Sequence, residues 1–207
     1  MRISRLSRSL LTLCAILSIA SIASEGSLLP ISTASATPME DLAKNLKPAE
    51  FSSRVERLLQ EGHAADALEL ADLGLRDNTR NVRLRFARTV ALERLGRSDE
   101  AASALRSMIA AYPEVPEPYN NLASIEAARG NYEEALDLLK QVLKINPDFA
   151  LARKNLGDVY LAFALECYES AAPAFGENEK VQARLRALRR LTGHSANVTD
   201  AGKQFTE

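Results

Sequence analysis

The sequence predicts an all-α fold, in which antiparallel helix pairs stack along the chain and a last helix caps the stack. Three observations predict it. Residues 118–147 read as one helical hairpin, the features of that hairpin recur every 34 residues, and the composition suits closely packed helices.

Within the hairpin, Tyr119, Leu122 and Ala123 share one face of a first helix. Tyr132, Ala135, Leu136, Leu139, Val142 and Leu143 form the apolar stripe of a second. Gly130 stands between the two. Asn131 is placed to cap the second helix, with Glu134 three residues on to reach back, and Pro147 stands where a helix must already have ended.

A single hairpin cannot bury both stripes, so it needs copies of itself, and the chain supplies them. Gly62, Gly96 and Gly130 lie 34 residues apart, as do Ala67, Ala101 and Ala135, and Leu75, Ile109 and Leu143. Pro113 and Pro147 keep the same interval. Each set has a physical role: a turn residue between helices, a small residue where the pair crosses closely, and a stop after each pair. These positions and their period resemble the tetratricopeptide repeat (TPR) over roughly residues 48–172. The resemblance implies a right-handed superhelical array, a TPR-like α-solenoid. Residues 113–172 also look like small exported bacterial proteins of this type.

Composition agrees with a packed helical domain. Of 207 residues, 46% are hydrophobic and 26% charged, which is ordinary for a globular chain and far from a disordered one. Tryptophan is absent and alanine is plentiful, which favours helices whose axes approach closely over a sheet. The formal charge of −1 argues against a nucleic-acid partner, since such binders carry a large basic excess.

Residues 1–36 read as a signal peptide. Arg2, Arg5 and Arg8 precede an apolar run over residues 10–23, too short for a comfortable membrane span. Cleavage is expected after Ser21-Ile22-Ala23 or, the favoured site, after Ala34-Ser35-Ala36; an uncleaved segment would instead tether the protein to the inner membrane. Either outcome puts the repeats outside the cytoplasm, in the periplasm or cell envelope. Removal takes away three arginines and one glutamate, moving the formal charge from −1 to −3. Cys14 falls inside the apolar run, where Leu13 before it counts against lipidation. Cys167, left alone among Ala, Leu and Tyr, is read as a buried small hydrophobe with no disulfide partner.

The units then come in order. Residues 37–47 are a linker with at most a helical turn. Residues 48–81 form the first repeat, with Phe51, Val55, Leu58 and Leu59 facing Ala67, Leu68, Leu70 and Ala71. Residues 82–115 form the second, whose first helix carries Arg80, Arg83, Arg85, Arg88 and Arg94 and is unusually basic. Arg88 stands where the later repeats have Leu122 and Leu156, so its methylenes must run along the surface or the helix must rotate. The cations are read as a solvated face or as a contact for an acidic partner. Residues 116–149 are the third repeat, with Pro116 and Pro118 tolerated in a first helical turn.

The fourth unit, residues 150–176, opens with Leu156, Gly157 and Tyr160 at the expected places. Residues 160–172 then hold no Gly or Pro, so the inter-helix loop is missing and the two helices are fused into one. A fused helix cannot fold back and must project or offer its far end to the segment after Pro173. Val181, Leu185, Leu188 and Leu191 mark a capping helix over residues 177–191, whose outer side carries Lys180, Arg184, Arg186, Arg189 and Arg190. Residues 192–207 are a polar tail expected to be disordered.

Catalytic chemistry finds no foothold in the sequence. His63 lies at a turn and His194 in the tail, and there is no phosphate loop, metal-ligand spacing, cofactor motif or nucleophile with a base. The expectation is a non-enzymatic scaffold for protein–protein interaction. The resemblance implies a concave groove lined by the first helix of each pair. Its lining would be Arg83, Phe86, Val90 and Glu93 in repeat two, Asn120, Asn121 and Ser124 in repeat three, and Lys154, Asn155 and Asp158 in the fourth unit. An amide offers both donor and acceptor, so such asparagines suit a peptide backbone, or else simply face water. Relatives that grip a C-terminal carboxylate use several cations there. Lys154 matches one such place, but Asn120 and Phe86 occupy its equivalents, so that clamp is incomplete. The partner expected is a protein or peptide. The alternatives are a structural subunit self-associating through the fused helix, and a membrane-anchored assembly factor.

Overall fold

The computed structural model describes residues 37–195. The expected export signal, Cys14 and the tail beyond residue 195 lie outside the described residues. Among the described residues the helices are α1 (Pro38–Asn45), α2 (Phe51–Gln60), α3 (Ala64–Asp77), α4 (Val82–Arg94), α5 (Ser98–Ala111), α6 (Pro116–Ala128), α7 (Tyr132–Ile145), α8 (Ala150–Phe175) and α9 (Glu179–Ser195). From α2 onward consecutive helices pack on one another, α1 packs on α3, and first helices of neighbouring pairs also touch directly, α2 on α4 and α6 on α8. None of these helices is long and apolar enough to cross a membrane.

The three register glycines end α2, α4 and α6 in the same way. Gly62, Gly96 and Gly130 hold φ of +85°, +72° and +82°, a region closed to most side chains. The amide after each glycine then donates back five residues, His63 to the Leu58 carbonyl at 2.8 Å, Arg97 to Leu92 at 2.9 Å and Asn131 to Glu126 at 2.9 Å. This is the six-to-one bond of a Schellman motif, which satisfies a carbonyl the helix would otherwise leave open. The expectation that Asn131 caps α7 is corrected. Its side chain makes no cap bond there and donates instead to Glu126 Oε2 at 2.7 Å.

The repeating alanines sit where the pairs cross: Ala67, Ala101 and Ala135 are all fully buried. Gly74 performs the same service for α3. A Cβ built there would lie 2.4 Å from Phe51 Cδ1 and 2.9 Å from Leu84 Cδ2, so α2 and α4 press on α3 at this point.

The apolar interior is built as two clusters. One joins α2 to α5 and reaches Leu122 and Ile125 of α6, the other joins α6, α7 and the first half of α8, and Leu138 packs against both. Tyr132 and Phe163 add a tilted ring contact, centroids 5.9 Å apart, to the second.

Both ends of the array are covered. Residues 37–47, read as a linker, contain the eight-residue α1, whose N-terminus carries a capping box between Thr37 and Glu40. Met39, Leu42, Ala43 and Leu46 lay its apolar side on the first cluster, and Thr37 bonds Glu69. At the other end α8 is one continuous helix of 26 residues. It runs through Pro173, where a missing donor leaves only one bond unmade in the exposed last turn, and stops at Gly176 with φ +52°. α9 packs back along α8, burying Leu185 and pairing Arg189 with Glu169 at 2.9 Å. It extends to Ser195, four residues past the predicted cap. Cys167 lies exposed on α8 rather than buried, because no residue of α8 beyond Val159 is fully enclosed.

Gly74→Ala tests the close approach. Since the nearest atoms belong to packed core side chains, it should destabilise the protein by ~1–3 kcal/mol, the usual range for overpacking, read as a lower urea midpoint with unchanged slope.

Candidate functional site

The candidate residues divide into two groups on the face built by α2, α4, α6 and α8. On α2 and α4 a cleft of about 270 Å³ lies between Glu56, Leu59 and Gln60 on one side and Phe86, Val90 and Arg94 on the other. Leu59 and Val90 form its buried floor, and Phe86 stands half-buried at its wall. Arg83 is not a free cation. Its Nε donates to Glu56 Oε1 at 2.5 Å and a second nitrogen reaches Oε2, a bidentate pair that holds the guanidinium's pKa above its ordinary value through that hydrogen bond. Arg94 donates to the Leu59 carbonyl.

The second group lies on α6 and α8. Asn120 and Asn155 are 1% and 4% exposed, so neither offers its amide to the face, and that part of the sequence expectation is corrected. Asn155 Nδ2 donates to Asn120 Oδ1 at 2.9 Å, and Asn120 Nδ2 donates to Asn121 Oδ1 at 3.4 Å. The physical reason is the direct contact of α6 with α8, which turns both polar side chains into the helix interface. Asn121 stays partly exposed, with its NH2 not engaged in that chain. Ser124 donates to the Asn120 carbonyl at 3.1 Å, and Lys154 pairs with Asp158 at 3.0 Å. Phe86 and Asn121 are therefore the predicted residues whose recognising groups remain open.

Between the two groups Glu93 is turned inward. Burial raises its pKa above the ordinary carboxylate range, while a hydrogen bond with Ser98 and the charge of Arg129 draw it down. Its Oε1 is enclosed without a hydrogen-bond partner.

Two features escaped the sequence reading although the register marks both. Glu56 and Gln60 precede Val90 and Arg94 by 34 residues, so the first repeat's share of the cleft was accessible by counting back. Glu126 stands where the neighbouring units have Leu92 and Tyr160. It is 1% exposed and accepts from Arg106 at 2.7 Å, Arg129 at 3.0 Å and Asn131 at 2.7 Å, and Arg129 also reaches Asp99 at 2.6 Å. Among the described residues no group of His, Cys, Asp or Glu is arranged to hold a metal ion.

Two family models match the sequence, one described as tetratricopeptide repeat over residues 53–116 and one as TPR repeat over residues 123–162. No curated protein matches it. Many solved structures share its fold. The first TPR domain of human RPAP3 is 20% identical with a TM-score of 0.54, covering 56% of this chain and 92% of that one. The first TPR of Spaghetti (RPAP3), bound to the HSP90 peptide SRMEEVD, is 21% identical with a TM-score of 0.53, covering 57% and 94%. TTC0263, a thermophilic TPR protein of Thermus thermophilus, is 20% identical with a TM-score of 0.54, covering 75% and 88%.

The amide pair and Glu93 each yield a measurable outcome. Asn120→Leu alone strands the buried Asn155 amide and should cost ~1–3 kcal/mol, whereas Asn120→Leu with Asn155→Leu removes both partners and should cost less than the sum of the singles in a urea-unfolding cycle. For Glu93 the folded-state pKa lies above the unfolded one, near ~4.3, so its penalty is absent below that value and grows as pH rises through the folded pKa. Glu93→Gln should match wild type in thermal unfolding at pH ~4 and exceed it at pH ~7.

Proposed function

The chain belongs to the tetratricopeptide-repeat family, and from that premise we propose that it is a non-enzymatic scaffold of the bacterial cell envelope that holds an extended segment of a partner protein on the face built by its first helices. The cleft between α2 and α4 carries this reading. Its buried Leu59 and Val90, with the ring of Phe86, supply apolar contact, and Glu56, Gln60 and Arg94 at its rim supply polar register. Asn121 extends the same face along α6, its free NH2 suited to a backbone carbonyl. A hydrogen bond nets about 1 kcal/mol and a micromolar complex needs about −8 kcal/mol, so the apolar pocket must provide most of the affinity. The peptide held by the similarly folded Spaghetti domain supports a peptide as ligand class. The envelope location rests on the basic residues and apolar run of residues 1–36 and on the cleavage motifs there.

A second reading, self-association through α8, is favoured by one observation: Tyr160 and Phe175 on α8 and Leu191 on α9 stand 49%, 56% and 54% exposed. One experiment separates the two. Tagged protein is used to capture partners from an envelope extract that also contains untagged protein, with wild type compared against Phe86→Asp and Phe175→Asp. The scaffold reading expects Phe86→Asp to lose at least tenfold of a specific captured protein while Phe175→Asp retains it. Recovery of the untagged chain itself, abolished by Phe175→Asp alone, would instead establish self-association.

A further inference from the structure

We infer that α4 also carries a second docking site, on the side turned away from the cleft, which takes a single acidic side chain flanked by an aliphatic one on a partner protein. The five arginines on and just ahead of this helix are the starting point. Arg83 is matched by Glu56, Arg94 by the Leu59 carbonyl, and Arg88 by Asp72 at 2.5 Å. Arg80 is exposed to solvent ahead of the helix. Arg85 differs from all four, being partly buried while no described residue gives it a hydrogen bond or an ion pair. Its stem can run along the neighbouring helices while the guanidinium, with no anion of this chain to match it, keeps its charge available to one from outside.

Arg85 and Arg88 lie three residues apart, one turn along one face of α4, whereas Phe86, Val90 and Arg94 lie on the other. Arg85 and Arg88 line a cleft of about 280 Å³ together with Leu75 of α3 and Ala104, Ser107 and Met108 of α5. Arg88 uses its Nε on Asp72, which leaves its two terminal nitrogens for a further acceptor. An Arg fork matches the two oxygens of a carboxylate, and the apolar floor beside it matches a neighbouring aliphatic side chain.

The charges around the cleft set the valence of the ligand. Asp72 already neutralises Arg88, and Glu100 lies close enough to feel the charge of Arg88, so only Arg85 is uncompensated. One negative charge fits and a polyanion does not, which disfavours nucleic acid and polyphosphate. The volume falls just below the ~300 Å³ at which pockets for whole small molecules begin, a size for one or two side chains. Because the site lies across α4 from Phe86, it stands or falls independently of the groove.

The test is an amide-resolved NMR titration of the full chain with acetyl-Ala-Leu-Glu-Leu-Ala-amide, compared with the same peptide carrying Gln for Glu and with one carrying Ala for both Leu. Saturable shifts are expected at Ala104, Ser107 and Met108, weakened at least tenfold by either peptide change and by Arg85→Gln. Arg85→Lys keeps the charge but loses the fork and should fall between, while Phe86→Asp should leave the shifts intact. No shift at those amides, equal binding of the Gln peptide, or shifts confined to Phe86 and Val90 would each overturn the inference. A titration with octanoate covers a free aliphatic acid as the source: saturation of the same amides more tightly than by the Glu peptide would overturn the protein partner.

Discussion

One buried carboxylate sits at the seam between the two halves of this array. The apolar interior divides along α6, the first helix of repeat three, and Glu126 of that helix lies at the division with donors arriving from α5 and from the turn between α6 and α7. An enclosed carboxylate is tolerable only while its hydrogen bonds are made, and removing one partner of such a pair commonly costs ~3–5 kcal/mol. Apolar side chains such as Leu138 will accept small slides of one pair past the next. A carboxylate shared among Arg106, Arg129 and Asn131 will not, because bonds of 2.7–3.0 Å fix both distance and direction. The seam is thereby set by polar geometry where the rest of the stack is set by shape.

That division of labour also explains which parts of the fold could be read from the chain. Turns and crossings are decided by single residues at a fixed interval, so Gly62, Gly96 and Gly130 and the matching alanines announced the hairpins and their helix limits. Position in the register tells which side of a helix a residue occupies, but not how closely the next unit approaches that side. Asn121 and Asn155 share one register position and differ in burial, because Asn155 lies in the contact of α8 with α6, paired to Asn120. The failure at Cys167 has a similar cause: its neighbours are those of a core residue, but α8 outruns the layer that would have covered it. Helix α1 escaped notice because eight residues show no period, and its stability comes from the surface of α3 beneath it.

The two ends of the stack meet the same problem with different materials. A repeat array leaves an apolar face open at each terminus, and each must be covered by something that is not a repeat. At the start, a short helix anchored by four apolar residues and the Thr37–Glu69 bond is enough, since α2 and α3 are already well enclosed. At the far end the fourth unit has lost its turn, and the distal half of α8 carries its apolar side past the stack. α9 covers part of it through Leu185 and the Arg189–Glu169 pair, but Phe175 and Leu191 remain open. The far end is thus the less completely closed of the two, and it is where a second copy of the chain would find apolar surface.

The basic first helix of repeat two shows how a repeat protein spends its charges. Five arginines in a protein of nearly balanced charge invite the reading of an anion-binding face, but the structure leaves Arg80 ahead of the helix and distributes the other four around it. Arg83 and Arg94 serve the cleft between α2 and α4, where they are tied to Glu56 and to the Leu59 carbonyl and so shape the rim more than they charge it. Arg88 is tied to Asp72 on the other side. Pairing converts most of the cluster from electrostatics into architecture, and exposed pairs of this kind contribute little to stability on their own. What remains is one partly buried arginine without an anion, Arg85, beside an apolar floor. In a repeat protein most side chains are accounted for by the neighbouring unit, so the residues that the neighbours match only in part, Phe86 and Asn121 on one face, or leave without an anion, Arg85 on the other, are where recognition by another molecule has room to act.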